Sequence, residues 1–404
     1  MIDVEQLRSR FPSLSRTTAD GMPVVHLDGP AGTQMPQSVA EAVSIGLIDA
    51  VSNVGGPFDA SHRSETVVGM ARQAAADLLG GRADEVVFGP NMTTLTFGFS
   101  RALSRTWGPG DKIVVSGLDH DANVTPWVMA AEDRGADVLF ADIRPDDVTL
   151  DLDQLESLLD DSVKLVAVTG CSNAFGSLVD VARVARAAHA VGARCFVDAV
   201  HLAPHRRIDV RAMGVDALVC SAYKFYGPHV GILWGRSDVL AETVAYKVRP
   251  APSDPPGKFE TGTPSFALLN GVTAAVDHIA SLGDGPTRGA RLDDASAQVG
   301  AHERALGERF LEGLSGGVRV WGRPTMEGRV STFAIEVEGM PASEVAGRLG
   351  ERGIATWPGH YYAVEPMRRL GWLDRGGLVR IGFVATTTEA EVERLLGELE
   401  RLTG

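Results

Sequence analysis

The chain predicts an α/β fold, with a large domain on a mainly parallel sheet and a smaller α+β domain at its C-terminal end. Three observations lead there. Strand-like and helix-like segments alternate between residues 85 and 220. The strand segments, Val163–Thr169 among them, are continuous apolar runs, which suits strands covered on both faces. Composition then shifts at a proline-rich loop, Arg249-Pro250-Ala251-Pro252-Ser253-Asp254-Pro255-Pro256-Gly257.

The elements follow in order. Val4, Leu7 and Phe11 mark a short amphipathic helix, and residues 36–50 a second helix opened by Pro36. A helix over 65–79 stops at Gly80-Gly81. Glu85-Val86-Val87-Phe88 is a strand; Asn91, Met92 and Thr93 then begin a helix whose free N–H groups suit an anion. Strands over 112–116, 137–140, 163–169, 194–198 and 217–220 alternate with helices over 123–134, 152–159 and 181–190. Beyond the proline-rich loop come helices over 265–281 and 292–314. The small module has strands over 319–321, 330–337 and 377–383 and helices over 342–352 and 389–402.

Bulk properties narrow the function. At 404 residues, 44% hydrophobic and 22% charged, the chain has ample core for a globular protein. A net charge of −14 without a basic run argues against nucleic acid or an anionic membrane as the partner. Cys171, Cys195 and Cys220 sit in or beside apolar runs without metal-ligand spacing, so buried thiols and no metal are expected. The opening Met1-Ile2-Asp3-Val4-Glu5 has no secretory pattern, and no apolar stretch is long enough to span a membrane; the expected location is cytoplasmic.

The chemistry centres on Ser221-Ala222-Tyr223-Lys224-Phe225-Tyr226-Gly227-Pro228, where one lysine leaves a buried strand among hydroxyls. An amine there suits a Schiff base with a phosphate-bearing aldehyde, and the hydroxyls suit its phosphate. Asp198 ends the strand Cys195–Asp198, where a carboxylate can keep a pyridine nitrogen protonated. His120 follows another strand and can stack on an aromatic ring or relay protons. Asn173 suits a phenolic oxygen, and His201 lies three residues past Asp198. Arg380 lies in the apolar strand Leu378-Val379-Arg380-Ile381, where a guanidinium needs an acid or a ligand carboxylate. Each has an ordinary use as well: a capping aspartate, a loop histidine, a turn asparagine, a locally paired arginine.

Taken together, these pieces resemble the class V aminotransferase family of fold-type I pyridoxal-phosphate enzymes, nearest its cysteine desulfurase-like group. The likeness rests on Asp119-His120-Asp121-Ala122-Asn123, Ser172-Asn173, Val197-Asp198-Ala199-Val200-His201, Ser221-Ala222-Tyr223-Lys224, Glu260-Thr261-Gly262-Thr263-Pro264 and Arg380. Asp28-Gly29-Pro30-Ala31-Gly32 and Gly359-His360-Tyr361-Tyr362-Ala363 add to it. It implies a seven-stranded sheet in a large domain over 26–285, a small domain over 286–404 and an N-terminal segment, 1–25, packed on the small domain. It implies pyridoxal 5'-phosphate as cofactor, an amino-acid substrate and a homodimer with shared sites. Lys224 would bond the cofactor and move the α-proton. Asp198 would face the ring nitrogen and His120 the ring. Asn173 and His201 would reach the phenolic oxygen. Met92, Thr93, Ser221 and Tyr223 would hold the phosphate, and Thr263 that of the neighbouring subunit. Arg380, with Asn173 and Tyr361, would bind the substrate carboxylate.

One departure is chemical. Desulfurases carry a persulfide-forming cysteine on the loop that here reads Gly359-His360-Tyr361-Tyr362, with Tyr362 at the cysteine's place. The three cysteines lie in or beside the predicted core strands, away from that loop. The expected reaction is therefore a lyase-type β-elimination with Tyr361, Tyr362 or His360 as acid or base. Transamination, epimerisation and a silent scaffold in sulfur transfer remain alternatives.

Overall fold

The computed structural model describes residues 2–404. The large sheet is built from β1 (Val86–Gly89), β2 (Lys112–Ser116), β3 (Asp137–Ala141), β4 (Val163–Thr169), β5 (Arg194–Asp198), β6 (Ala217–Ser221) and β7 (Gly231–Gly235). Its seven strands run in the order β1-β7-β6-β5-β4-β2-β3. The five from β6 to β3 are parallel, and β7 is antiparallel to both of its neighbours. Alternate residues of one strand enter opposite cores. Val166 and Val168 of β4 face one core, and Leu165 and Ala167 face the other. This double burial is why the strands read as unbroken apolar runs.

The helices covering the sheet follow from their own sequences. They include α1 (Gln37–Asp49), α2 (Asp59–Leu79), α3 (Met92–Leu103), α4 (Thr125–Glu132), α5 (Val181–Ala190) and α6 (Phe266–Ala280). In α5 the apolar positions Val181, Val184, Ala185 and Ala188 form one buried stripe, and the Asp180 side chain caps its first turn. Asn91 caps α3 by accepting the Thr94 N–H at 2.8 Å. Helix α2 begins at Asp59, six residues before its expected start, because residues 59–64 are mostly polar and show no apolar period.

The small sheet has strands β8 (Val318–Trp321), β9 (Thr332–Val337), β10 (Trp357–Gly359) and β11 (Leu378–Gly382), ordered β8-β9-β11-β10 and antiparallel throughout. Helices α7 (Arg288–Glu312), α8 (Ala342–Glu351) and α9 (Glu389–Thr403) accompany it. Val25–His26 pairs with Ile354–Ala355 of this unit, while Phe11 packs on Tyr226 and His278. Two strands go beyond the sequence expectation. β7, Gly-Ile-Leu-Trp-Gly, is short and framed by glycines, and β10 contains Pro358, which suits an edge strand.

Among the described residues, no helix is long and apolar enough to cross a membrane. The carboxyl ends of β2, β4, β5 and β6 open onto one edge of the large sheet, the usual place for a ligand in such folds. β7 crosses closely behind the start of α3. A methyl group on Gly231 would overlap the Asn91 backbone. Gly231→Ala is therefore expected to cost about 1–3 kcal/mol, read from the denaturant midpoint, and to disturb the start of α3. Gly69, on the open face of α2, meets nothing within 4 Å, so Gly69→Ala should instead gain about 0.5–1 kcal/mol.

Candidate active site

Lys224 closes the turn Ala222–Lys224 after β6, and its side chain enters a cavity of about 260 Å³. Met92, Thr93, His120, Asn173, Asp198, His201, Tyr223, Tyr361, Tyr362 and Arg380 line the same cavity. Nζ donates to the carbonyls of Pro30 and of Ala31, the latter at 3.1 Å. It also lies 4.9 Å from the Tyr223 ring centre, and that ring is held by stacking on His229 at 4.7 Å. Burial, then the Arg380 charge, lowers the Lys224 pKa to about 7. A large share of the amine is thus neutral, and nucleophilic, near neutral pH.

Asp198 ends β5 with one oxygen accepting the Val200 N–H at 2.8 Å. Burial raises its pKa to about 6, against the pull of that N–H and of Lys224. A cationic ring nitrogen placed against it would hold it ionised. His120 accepts the Ala122 N–H on Nδ1 at 3.0 Å, which leaves Nε2 to carry the proton of the neutral ring. Burial, then Lys224 and Arg380, lowers its pKa to about 4. His201 is buried and kept neutral, with Nε2 at 2.9 Å from the Thr332 hydroxyl.

Arg380 reaches in from β11. It donates to the Asn173 carbonyl at 3.0 Å and lies 4.7 Å from the Tyr361 ring centre. Among the described residues it has no acid within ion-pairing distance, and its buried Nε has no partner. Burial lowers its pKa to about 10. The Asn173 side chain donates to the Tyr361 carbonyl at 2.9 Å, while its Oδ1 is buried and unpartnered. Tyr361 and Tyr362 take φ values of +50° and +58°. Two such residues in succession cost about 1–3 kcal/mol each, so the surrounding contacts must hold the turn.

Ser221 and His360 lie outside this cavity, as does Thr263, which was expected at the phosphate of a neighbouring subunit. Ser221 does not line the cavity; its hydroxyl accepts the Met92 N–H at 3.1 Å and so seats the first turn of α3. Thr263 lines a separate cavity of about 550 Å³, because the loop after Glu260 turns to the other side of α3. His360 is exposed and outside the cavity wall, its Nδ1 accepting the Tyr362 N–H at 3.1 Å. Cys171, expected away from the tyrosine loop, borders the same cavity, because the chain doubles back after β4. Its thiol donates to the Gly176 carbonyl at 3.4 Å, and burial raises its pKa.

Sequence reasoning passed over other groups in the wall or behind it. The Pro30 and Ala31 carbonyls are backbone atoms, and only the glycine-rich loop around them gave a hint. Asp119 is fully buried between Asn123 and the Thr169 N–H, and burial raises its pKa to about 8. The invading Trp357 comes from a strand that was not expected.

The residues fit pyridoxal phosphate. An amine, a carboxylate and a flat imidazole share one cavity, and the Asn173 oxygen and Arg380 Nε wait unpartnered in its wall. Uptake of the cofactor by cofactor-free protein should therefore speed up as pH rises through about 7, whereas an ordinary lysine titrates near 10.4. Arg380→Met removes a charge that lowers the Lys224 pKa, so it should move this inflection upward. Stopped-flow absorbance at a series of pH values measures both.

Comparison with known proteins agrees with this geometry. A family model described as Aminotransferase class-V matches residues 25–395. An uncharacterized Mycobacterium tuberculosis protein is 32% identical, with 99% of each chain covered. A cysteine desulfurase of Serratia proteamaculans is 29% identical over 99% of this chain and 98% of its own. Among solved structures, the apo cysteine desulfurase of Thermococcus onnurineus NA1 superposes with a TM-score of 0.88 at 26% identity, covering 100% of this chain and 98% of that one. Cysteine desulfurase CsdA of Escherichia coli gives 0.85 at 26%, covering 99% and 98%. The chain belongs to the class V aminotransferase family and is a pyridoxal-phosphate-dependent enzyme.

Proposed function

We propose that the protein removes the α-proton of an amino acid and expels a substituent from its β-carbon, without a cysteine persulfide. The observation that carries this reading is one cavity holding Lys224, Asp198, His120 and Arg380, whose one bordering thiol, Cys171, is buried and donates to the Gly176 carbonyl. The chain's three cysteines are all buried, and burial raises the pKa of each. A thiol held neutral in a core is a poor nucleophile.

Arg380 receives the substrate carboxylate on Nε and its free amino group, a two-bond match that fixes the α-carbon. Asn173 supports that arginine through its carbonyl and faces the cavity with its unpartnered Oδ1. Bound pyridoxal phosphate supplies an electron sink for the charge left at the α-carbon. Asp198 sustains that sink by keeping the ring nitrogen protonated. Lys224 Nζ, neutral in part near pH 7, accepts the α-proton. The β-substituent leaves with the electrons of its bond to Cβ, and the neutral His120 Nε2–H supplies its proton. Water then converts the released unsaturated amine into a 2-oxo acid and ammonia.

The α3 N-terminus holds the phosphate with Met92 and Thr93, seated by Ser221. Thr263 acts on the phosphate of a second copy. The separate cavity beside it, and exposed apolar residues such as Leu47, Ile48 and Val51 on and after α1, suit such a homodimer. Three free thiols suit a cytoplasmic setting.

In heavy water, a panel of β-substituted amino acids, both cysteine enantiomers included, should yield a 2-oxo acid and ammonia from at least one member. Alanine from cysteine, or a mirror-image amino acid, would contradict elimination. Arg380→Met should raise KM for that substrate about 10- to 100-fold, the loss of a charge-assisted pair. An unchanged KM would remove Arg380 from the substrate site.

A further inference from the structure

The Tyr362 side chain has a use that does not need its hydroxyl. Its ring lies 5.4 Å from the His120 ring, centre to centre, with only 19° between the planes. The residue is 66% exposed even so, an unusual state for a tyrosine held in one orientation. The backbone holds it there. The Tyr362 carbonyl accepts the Asp121 N–H at 2.8 Å, beside His120, and the Tyr362 N–H donates to His360. The neighbouring Tyr361 carbonyl takes the Asn173 amide at 2.9 Å, and the Ala363 N–H closes the turn onto the His360 carbonyl at 2.7 Å. With both tyrosines left-handed, adjacent side chains reach different parts of one cavity. Tyr361 lies under Arg380, and Tyr362 lies over His120.

We infer that Tyr362 is a positioning residue for His120. Its ring covers one face of the imidazole while Nδ1 is held by the Ala122 N–H. Edge and face together leave the imidazole one orientation on the cavity wall. The ring does the work and the phenol oxygen does not. This rests on the reading of His120 as the ring that contacts the cofactor, and it replaces an acid–base role for Tyr362.

The test compares purified holoenzyme with Tyr362→Phe and Tyr362→Asn. Asparagine tolerates the left-handed backbone best among non-glycine residues, so it keeps the turn and removes only the ring. Two quantities are read: the His120 ring-proton resonance, assigned with His120→Gln, and the rate of pyridoxal phosphate release into a trapping excess of apoenzyme. Tyr362→Phe should keep the ring-current shift at His120 and the release rate. Tyr362→Asn should lose the shift and release the cofactor about 3- to 10-fold faster, the scale of one aromatic pair. Equal behaviour of Tyr362→Asn and wild type would overturn the clamp. Equal damage in Tyr362→Phe and Tyr362→Asn would overturn it too, in favour of the hydroxyl. A wild-type protein that retains no pyridoxal phosphate would overturn the reading of the whole site, and the clamp with it.

Discussion

Two basic side chains share one cavity, and the rest of the site answers to that. Arg380 is buried and Lys224 half-buried, and desolvation holds each below its ordinary pKa. The Arg380 charge lowers Lys224 further. Asp198 and Asp28 are the nearby acids, and burial raises the pKa of both. Without a ligand, Arg380 has no acid within ion-pairing distance among the described residues. An anionic group that enters, a carboxylate or a phosphate, meets an Arg380 Nε that has no partner in the protein. The Arg380 charge, with burial, leaves a share of the Lys224 amine neutral near pH 7.

This arrangement needs both sheets. Lys224, Asp198 and His120 follow strands of the large sheet, whereas Arg380 and Trp357 belong to the small one. The two are tied at the cavity itself, through Arg380 to the Asn173 carbonyl, Asn173 to the Tyr361 carbonyl, and the Asp121 N–H to the Tyr362 carbonyl. Those bonds hold the two left-handed tyrosines, and the cost of that turn is spent on aiming their rings. On the proposed reading, placement of the substrate carboxylate by Arg380 is thereby coupled to placement of the His120 ring.

Much of this was legible in the residues. Val163–Thr169 and Arg194–Asp198 were readable to the residue, because burial on both faces leaves an unbroken apolar run with a polar end. Lys224, Asp198, His120 and Arg380 were readable because a polar group at the end of such a run, or inside it, has few structural uses. Other features left no such trace. β7 is too short and glycine-framed to stand out, and its antiparallel direction is set by the tight return after Lys224. β10 was hidden by Pro358. The Pro30 and Ala31 carbonyls carry no side-chain signal at all. Ser221 shows the reverse: its position in the motif suggested a phosphate ligand, but its hydroxyl seats the Met92 N–H. Whether a loop residue such as His360 faces inward is decided by backbone turns, and no periodicity reports them.

The account stands on Lys224 as the group that bonds the cofactor. Borohydride reduction of the holoenzyme, followed by proteolysis and peptide mass mapping, tests this most directly. The account predicts a reduced pyridoxyl-phosphate adduct on the peptide that carries Lys224 and on no other. An adduct on Lys112, Lys164, Lys247 or Lys258 instead, or none at all, would contradict it.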